Sequence, residues 1–398
     1  MSGYYAVFGG FGPQNWVNEL VPDINGKADG LTVMDVDPET GHMEKVCGNH
    51  DIFSPSMLVV SKDREHIYSS NEGHDFKFRG SGGGVTSYTF DIETGTVQKL
   101  NDSLAFGSST AYVSLDKTGR YLFAANHGTK FYNTRYEKIP GGYRPVVQRD
   151  EGVVSVFRIN SDGSIGECVD RFVLNGTGAD EFEHASAHPH CVIIDDQDYV
   201  VIPNKGGDSI WVAKFDRDAE KLRLLSIFNR GFGSSPRHAV FVPGTDFILV
   251  QNEYNAHLGS YYLDRVKGEL SEISYIDVED PSVRVSDSKF GVVSDHSWGC
   301  DVQMTPDRRF VYSNCGQPCI TQFSFDVNTG KLSLVRYYHD IQGWMRGMRI
   351  TPDGKFLCVT GVTSEKAYIY KIDNETGVLS MQEEIRVHTP TSVVFIEK

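Results

Sequence analysis

Two phrases alternate along this chain, and no motif constrains its fold as tightly. The first is an alternating run that ends in an acidic, glycine-containing turn, as in LTVMDVDPETGHMEKV at 31–46, VTSYTFDIETGTVQKL at 85–100 and ITQFSFDVNTGKLSLV at 320–335. It occurs seven times. Period-2 alternation before a turn whose glycine is free to adopt positive φ is the signature of a β-hairpin. The second phrase lies between copies of the first and is again strand, polar turn, strand, as in MLVVSKDREHIYSSNEG at 57–73 and CVIIDDQDYVVIPNKGG at 191–207.

Two hairpins make a four-stranded unit, and units of roughly 50 residues that cannot bury their faces alone must stack on their neighbours. The last second phrase, TPTSVVFIEK, stops at the C-terminus before its return strand, while YYAVFGGFG at 4–12 is a strand without a hairpin partner. The expected fold is therefore all-β: a seven-bladed β-propeller with four-stranded blades, closed by the N-terminal strand joining the C-terminal blade. The length of 398 residues suggests two or three ordinary domains, but a closed ring makes 1–398 one. Segments 13–30, 74–82, 127–151, 170–187 and 275–296 fall between the repeated phrases and are expected to be irregular insertions around one face.

Hydrophobic residues at 39% and charged residues at 23% supply a core without the bias of a disordered chain. The formal charge of -15 opposes sequence-independent binding to nucleic acid or anionic lipid. No apolar run reaches about 18 residues, and the N-terminus has no basic leader. Seven scattered cysteines suggest reduced thiols, so a cytoplasmic location is expected. Cys315 and Cys319 have a C-x3-C spacing with no second pair to complete a zinc site.

In a propeller, residues at equivalent strand ends ring one mouth of the central channel. Lining up the second phrases gives Asn71-Glu72, Asn126-His127, Asn204-Lys205, Asn252-Glu253 and Asn314-Cys315. The asparagines suit turns and backbone hydrogen bonds, whereas the residue after each differs from blade to blade, as residues serving a site would. The segments leading into the blades, AHPHC, SPRHA, SWGCD and WMRGM, add His188, His190, Arg237, His238, Asp301 and Arg346.

H-x-H at 188–190, SPRH at 235–238, NE at 252–253 and the repeated TPDG-type turns resemble the seven-bladed lactonase family. That family includes propeller-type 6-phosphogluconolactonases and fungal 3-carboxy-cis,cis-muconate lactonizing enzymes. The resemblance places the family's active-site histidine on the His188/His190 pair, its arginine on Arg237 and its glutamate on Glu253. It also shows two departures: Cys315 where the family tends to have arginine, and Asp301 where it often has glutamate.

It implies an enzyme, a lactonase or a lactonizing isomerase, acting on a small anionic lactone or carboxylate. His190 would be the acid–base group, Arg237 the clamp on a carboxylate or developing oxyanion, and Glu253 a carboxylate that orients the histidine, holds Arg237 or acts as the base itself. His188, Lys205, His127, Glu72, Asp301 and Arg346 would bind substrate. Strand alternation is expected to turn only one of His188 and His190 to the channel. No cofactor and no metal are assigned. H-x3-H-x-H at His184, His188 and His190 leaves a metal-dependent lactonase as an alternative, with Asp301, His257 or His296 as further ligands, but the helix that would bring the first two together is broken by Pro189. A propeller that only binds partners is the other alternative. No sequence feature speaks to oligomeric state.

Overall fold

The computed structural model describes residues 3–13, 26–49, 53–129, 132–178, 184–282, 298–315 and 318–398. It contains seven antiparallel four-stranded sheets and one separate two-stranded ribbon. The innermost strands are, in chain order, Pro55–Val60, Thr110–Leu115, Ile193–Ile194, Pro236–Phe241, Gly299–Met304, Met345–Ile350 and Pro390–Glu397. Each packs beside the next, and Pro390–Glu397 returns to Pro55–Val60, so the ring is closed. Blades are numbered 1 to 7 in that order.

Blade 7 is assembled from both ends of the chain. Tyr4–Gly10 pairs with Pro390–Glu397 in antiparallel register, Val7 opposite Val394. Hydrogen bonds between the first and last strands thus join the ends non-covalently, and blade 7 has four strands like the other six.

The cores lie between blades. Phe123 and Val156 of blade 2 pack with Val200, Trp211 and Phe215 of blade 3, while Val7 and Val394 of blade 7 meet Ile67 and Tyr88 of blade 1. A single blade therefore has no core of its own. Gly9 sits at one such seam: a Cβ there would lie 2.2 Å from the Pro55 carbonyl oxygen and 3.1 Å from Ser392 Oγ. Gly9→Ala is expected to separate blades 7 and 1 and to cost about 1–3 kcal/mol, read as a fall in thermal midpoint. An unchanged midpoint would show that the seam can yield.

Three of the expected irregular insertions are partly strand. Residues 127–151 include the ribbon Tyr132–Ile139 with Gly142–Arg149, whose alternating tyrosines flank a P-G-G turn with Gly141 at φ +87°. Segments 170–187 and 275–296 each begin inside an outermost strand, Ile165–Val173 and Glu269–Asp277. The third strand of each blade pairs with it to the end, Val153 opposite Val173 and His257 opposite Asp277. Residues 14–25, 130–131, 179–183 and 283–296 of the insertions lie outside the described residues.

Candidate functional site

The residue before the inner strand adopts the left-handed region in four blades: Ser54, Ser109, Ser235 and Thr389, with φ between 38° and 52°. Small hydroxyl residues tolerate this poorly populated conformation when their surroundings hold them. Ser235 is held from both sides, its N–H donating to Asp208 Oδ1 at 2.8 Å and its carbonyl accepting from the Glu253 N–H at 2.8 Å. The kink delivers Pro236 and then Arg237 into the ring.

In blade 3 the paired inner strand is only Ile193–Ile194, and the histidines precede it. Their backbone is tied to the end of the neighbouring strand instead: the His188 N–H donates to Asn204 Oδ1 at 2.9 Å and the Lys205 N–H to the His188 carbonyl at 3.0 Å. Asn314 Oδ1 likewise accepts the Asp301 N–H at 2.7 Å. These asparagines are structural, as their turn chemistry suggests; they hold the segments that carry the site.

Around the axis the blades bring together Glu72, His127, His188, His190, Lys205, Arg237, Glu253, Asp301 and Arg346, all buried. Glu253 is shared between two cations: Oε2 accepts from Arg237 Nε at 2.7 Å and Oε1 lies 2.5 Å from Lys205 Nζ. Arg346 Nη2 donates to Glu72 Oε2 at 2.6 Å. Three cations face three carboxylates, so the mouth is locally balanced within a strongly acidic protein. Unpaired buried charges would be costly, and pairing offsets that cost. Each guanidinium keeps donors in reserve. Arg346 makes no hydrogen bond through Nε or Nη1 and Arg237 none through Nη2 among the described residues.

His238, whose role sequence reading leaves open within the SPRH motif, connects this array to the channel. Its Nδ1 lies 2.9 Å from Asp301 Oδ1 and its Nε2 3.2 Å from Arg237 Nη1. Asp301 accepts from Nδ1–H and Arg237 donates to the bare Nε2, so the tautomer is set and both ring nitrogens are in use. Asp301 Oδ2 accepts the Met348 N–H at 2.8 Å, which anchors the chain of contacts in blade 6.

His190 differs. Its ring lies 5.2 Å from that of His238 and 5.3 Å from that of His127, yet its Nδ1 is buried without a hydrogen-bond partner among the described residues. It lines a narrow cavity on the axis with His238, Asp301 and Arg346, to which all seven inner segments contribute. His188 does not line it; its ring stacks on His127 at 4.7 Å and its Nδ1 bonds the His127 carbonyl.

Burial, and then the Arg237 guanidinium, hold His190 well below the ordinary imidazole value. The same two causes push His238 down to about 4, against the opposing pull of Asp301. Burial alone would raise the Asp301 carboxyl, but the His238 contact and the Met348 and Val302 N–H groups hold it below the usual carboxylate range.

These shifts make stability depend on acidity. The unfolded chain protonates His238 near its ordinary value of 6.5, the folded chain only near 4, so the unfolded state takes up the proton first as pH falls. Stability present at pH 7 is therefore lost between about 6.5 and about 4, by on the order of 3 kcal/mol for this group. Urea midpoints should fall across that window; a constant midpoint would contradict neutral, buried imidazoles.

Other expectations resolve differently. His184 lies against Tyr254, and His257 stacks on Tyr275. Among the described residues no three histidine, cysteine or carboxylate side chains gather as a metal-binding set. His296 lies outside the described residues. Cys315 packs in the apolar layer between blades 4 and 5 with Leu258, Val302 and Cys319, so its place after Asn314 brings no functional group to the ring. Among the described residues, which include all seven cysteines, no disulfide is formed.

Sequence reading also misses the aromatic rim. The Arg346 guanidinium lies over Phe11 at 4.6 Å and Trp344 at 5.6 Å, and Lys205 over Trp298 at 6.0 Å. A signal is visible in GWMRG and SWGCD, where a tryptophan stands within three residues of a charged one, whereas GGFG has no charged neighbour in the chain to mark Phe11.

A closed seven-bladed ring with a histidine, arginine and carboxylate array on its axis defines a class. The family described as "Lactonase, 7-bladed beta-propeller" matches residues 21–395, and the chain belongs to it. Among its relatives, a 6-phosphogluconolactonase of Bacillus subtilis is 23% identical over 94% of this chain and 96% of its own. A 6-phosphogluconolactonase of Pectobacterium carotovorum subsp. carotovorum is 26% identical over 81% and 82%. The structure of the periplasmic gluconolactonase of Pseudomonas aeruginosa superposes with a TM-score of 0.81 at 22% identity, covering 99% of each chain, and shows the same fold. No described helix is long and apolar enough to cross a membrane.

Proposed function

We propose that this lactonase opens the ring of a small sugar-acid lactone carrying an anionic group, with 6-phosphogluconolactone the first candidate. The observation that carries the reading is His190, which lines the axial cavity with Arg346, has an Nδ1 without a hydrogen-bond partner among the described residues, and is kept neutral by burial and the nearby Arg237 guanidinium. His190 takes a proton from water as that water attacks the lactone carbonyl. Arg237 donates to the oxyanion of the tetrahedral intermediate. When the ring C–O bond breaks, His190 returns the proton to the leaving alkoxide, leaving a hydroxy acid that ionises.

Glu253 holds Arg237 and Lys205 in place, and His238 with Asp301 fixes the far side of the same guanidinium. The unused donors of Arg346 receive the anionic substituent. Glu72 keeps Arg346 oriented, and His127 and His188 support the His190 ring. Hydrolysis is favoured over lactone formation or isomerisation by the names of the relatives. Seven cysteines with no disulfide among the described residues suit a reducing, cytoplasmic compartment.

The test is proton release from a panel of 6-phosphogluconolactone, gluconolactone and muconolactone. Turnover of the phosphorylated sugar lactone at a kcat/KM well above that of the uncharged one supports the reading. Equal rates would remove the anionic requirement, and turnover of muconolactone alone would overturn the substrate class.

A further inference from the structure

The ribbon Tyr132–Ile139 with Gly142–Arg149 leaves blade 2 between its second and third strands, and its register sorts it into two unlike faces. Directly opposed residues of an antiparallel pair point to the same side. Tyr132 with Arg149, Thr134 with Val147, Tyr136 with Pro145 and Lys138 with Tyr143 therefore form one face. It holds three tyrosines and two cations and no carboxylate. The opposite face has no tyrosine; beside Val146 and Ile139 it carries Asn133, Gln148 and an ion cluster in which Arg135 and Arg144 both pair with Glu137 at 2.9 and 3.0 Å.

The tyrosine face is bare. Tyr132, Tyr136 and Tyr143 are 59%, 68% and 66% exposed and Val147 is 52% exposed. A two-stranded ribbon is at best marginally stable alone in water, and a contiguous apolar face rimmed by charge marks a contact surface. Eight residues per strand at about 3.4 Å each give an arm about 27 Å long, enough to reach well beyond its own blade.

Charge points to the occupant. Residues 132–149 contain Arg135, Lys138, Arg144 and Arg149 against Glu137, a net +3; the whole chain is -15, so the remainder is -18. An anionic lipid surface would attract the arm but repel the body behind it, whereas the body of another copy attracts the arm. We propose that this arm docks on the acidic body of a second copy of the chain, giving a two-fold dimer in which each copy lends its ribbon to the other.

Sedimentation velocity of the full chain tests this. The wild type should dimerise, with Kd rising by roughly tenfold between about 50 and about 500 mM NaCl as charge is screened. Tyr136→Asp combined with Tyr143→Asp should leave a monomer with an unchanged far-UV circular dichroism spectrum and thermal midpoint, since both side chains are exposed. Lys138→Glu combined with Arg149→Glu should weaken the dimer without touching a tyrosine. A wild type monomeric at every concentration, or a dimer that survives both double variants, would overturn the proposal. So would a monomer that co-sediments with phosphatidylserine vesicles, which would make a membrane the occupant.

Discussion

Arg237→Met is expected to lower kcat for lactone opening by about 10²- to 10³-fold, the usual effect of removing one preorganised oxyanion donor, while the propeller stays folded. Arg237 is 2% exposed and is held by the Glu253 carboxylate, the Cys300 carbonyl and His238. Methionine retains most of the alkyl volume and removes the fork. Glu253 is not left as a bare buried charge, because Lys205 remains on its other oxygen, so the large penalty for breaking a buried pair is moderated. Steady-state kinetics with a thermal melt on the same sample separate the two effects. Normal turnover would reject the clamp, and loss of both activity and fold would make the residue structural. Arg237→Lys should recover only part of the rate, since an ammonium restores charge without bidentate geometry.

His190→Gln should lower kcat by about 10²- to 10⁴-fold and remove the acid limb of the pH profile. The proposed base works as a neutral imidazole, and its folded pKa lies well below 6.5. Wild-type kcat/KM should therefore be flat through neutrality and fall only when the pH drops through that lowered value. His188→Gln is the control: its ring packs on His127 outside the cavity lining, so turnover should change less and the acid limb should persist. If His188→Gln lost the limb and His190→Gln kept it, the two roles would be exchanged.

The ring itself was legible because its periodicity is repeated seven times: a hairpin in one phrase is weak evidence, but the same alternation and turn chemistry around the chain leaves few folds. The closure was legible for a related reason, an unpaired strand at each end. The insertions were harder. The Tyr132–Arg149 ribbon has an alternating pattern of its own, but its apolar side faces water, so the usual link between alternation and burial did not identify it. Arg237, Glu253 and the H-x-H pair stood out through chemistry and family resemblance. The roles of His238 and Asp301 did not, because nothing in SPRH or SWGCD indicates that they hydrogen-bond to one another across 63 residues of chain.

By itself, the sequence determined the number of blades, the strand order within them and which residue types reach the strand ends, because backbone alternation and turn propensities act over a few neighbouring residues. That the His190 Nδ1 is left unbonded among the described residues, that both guanidinium groups keep donors in reserve, and that Cys315 packs in an apolar layer were decided only by the tertiary structure. Hydrogen-bond partners, desolvation and charge balance depend on distances between blades, and those distances exist only once the ring has closed.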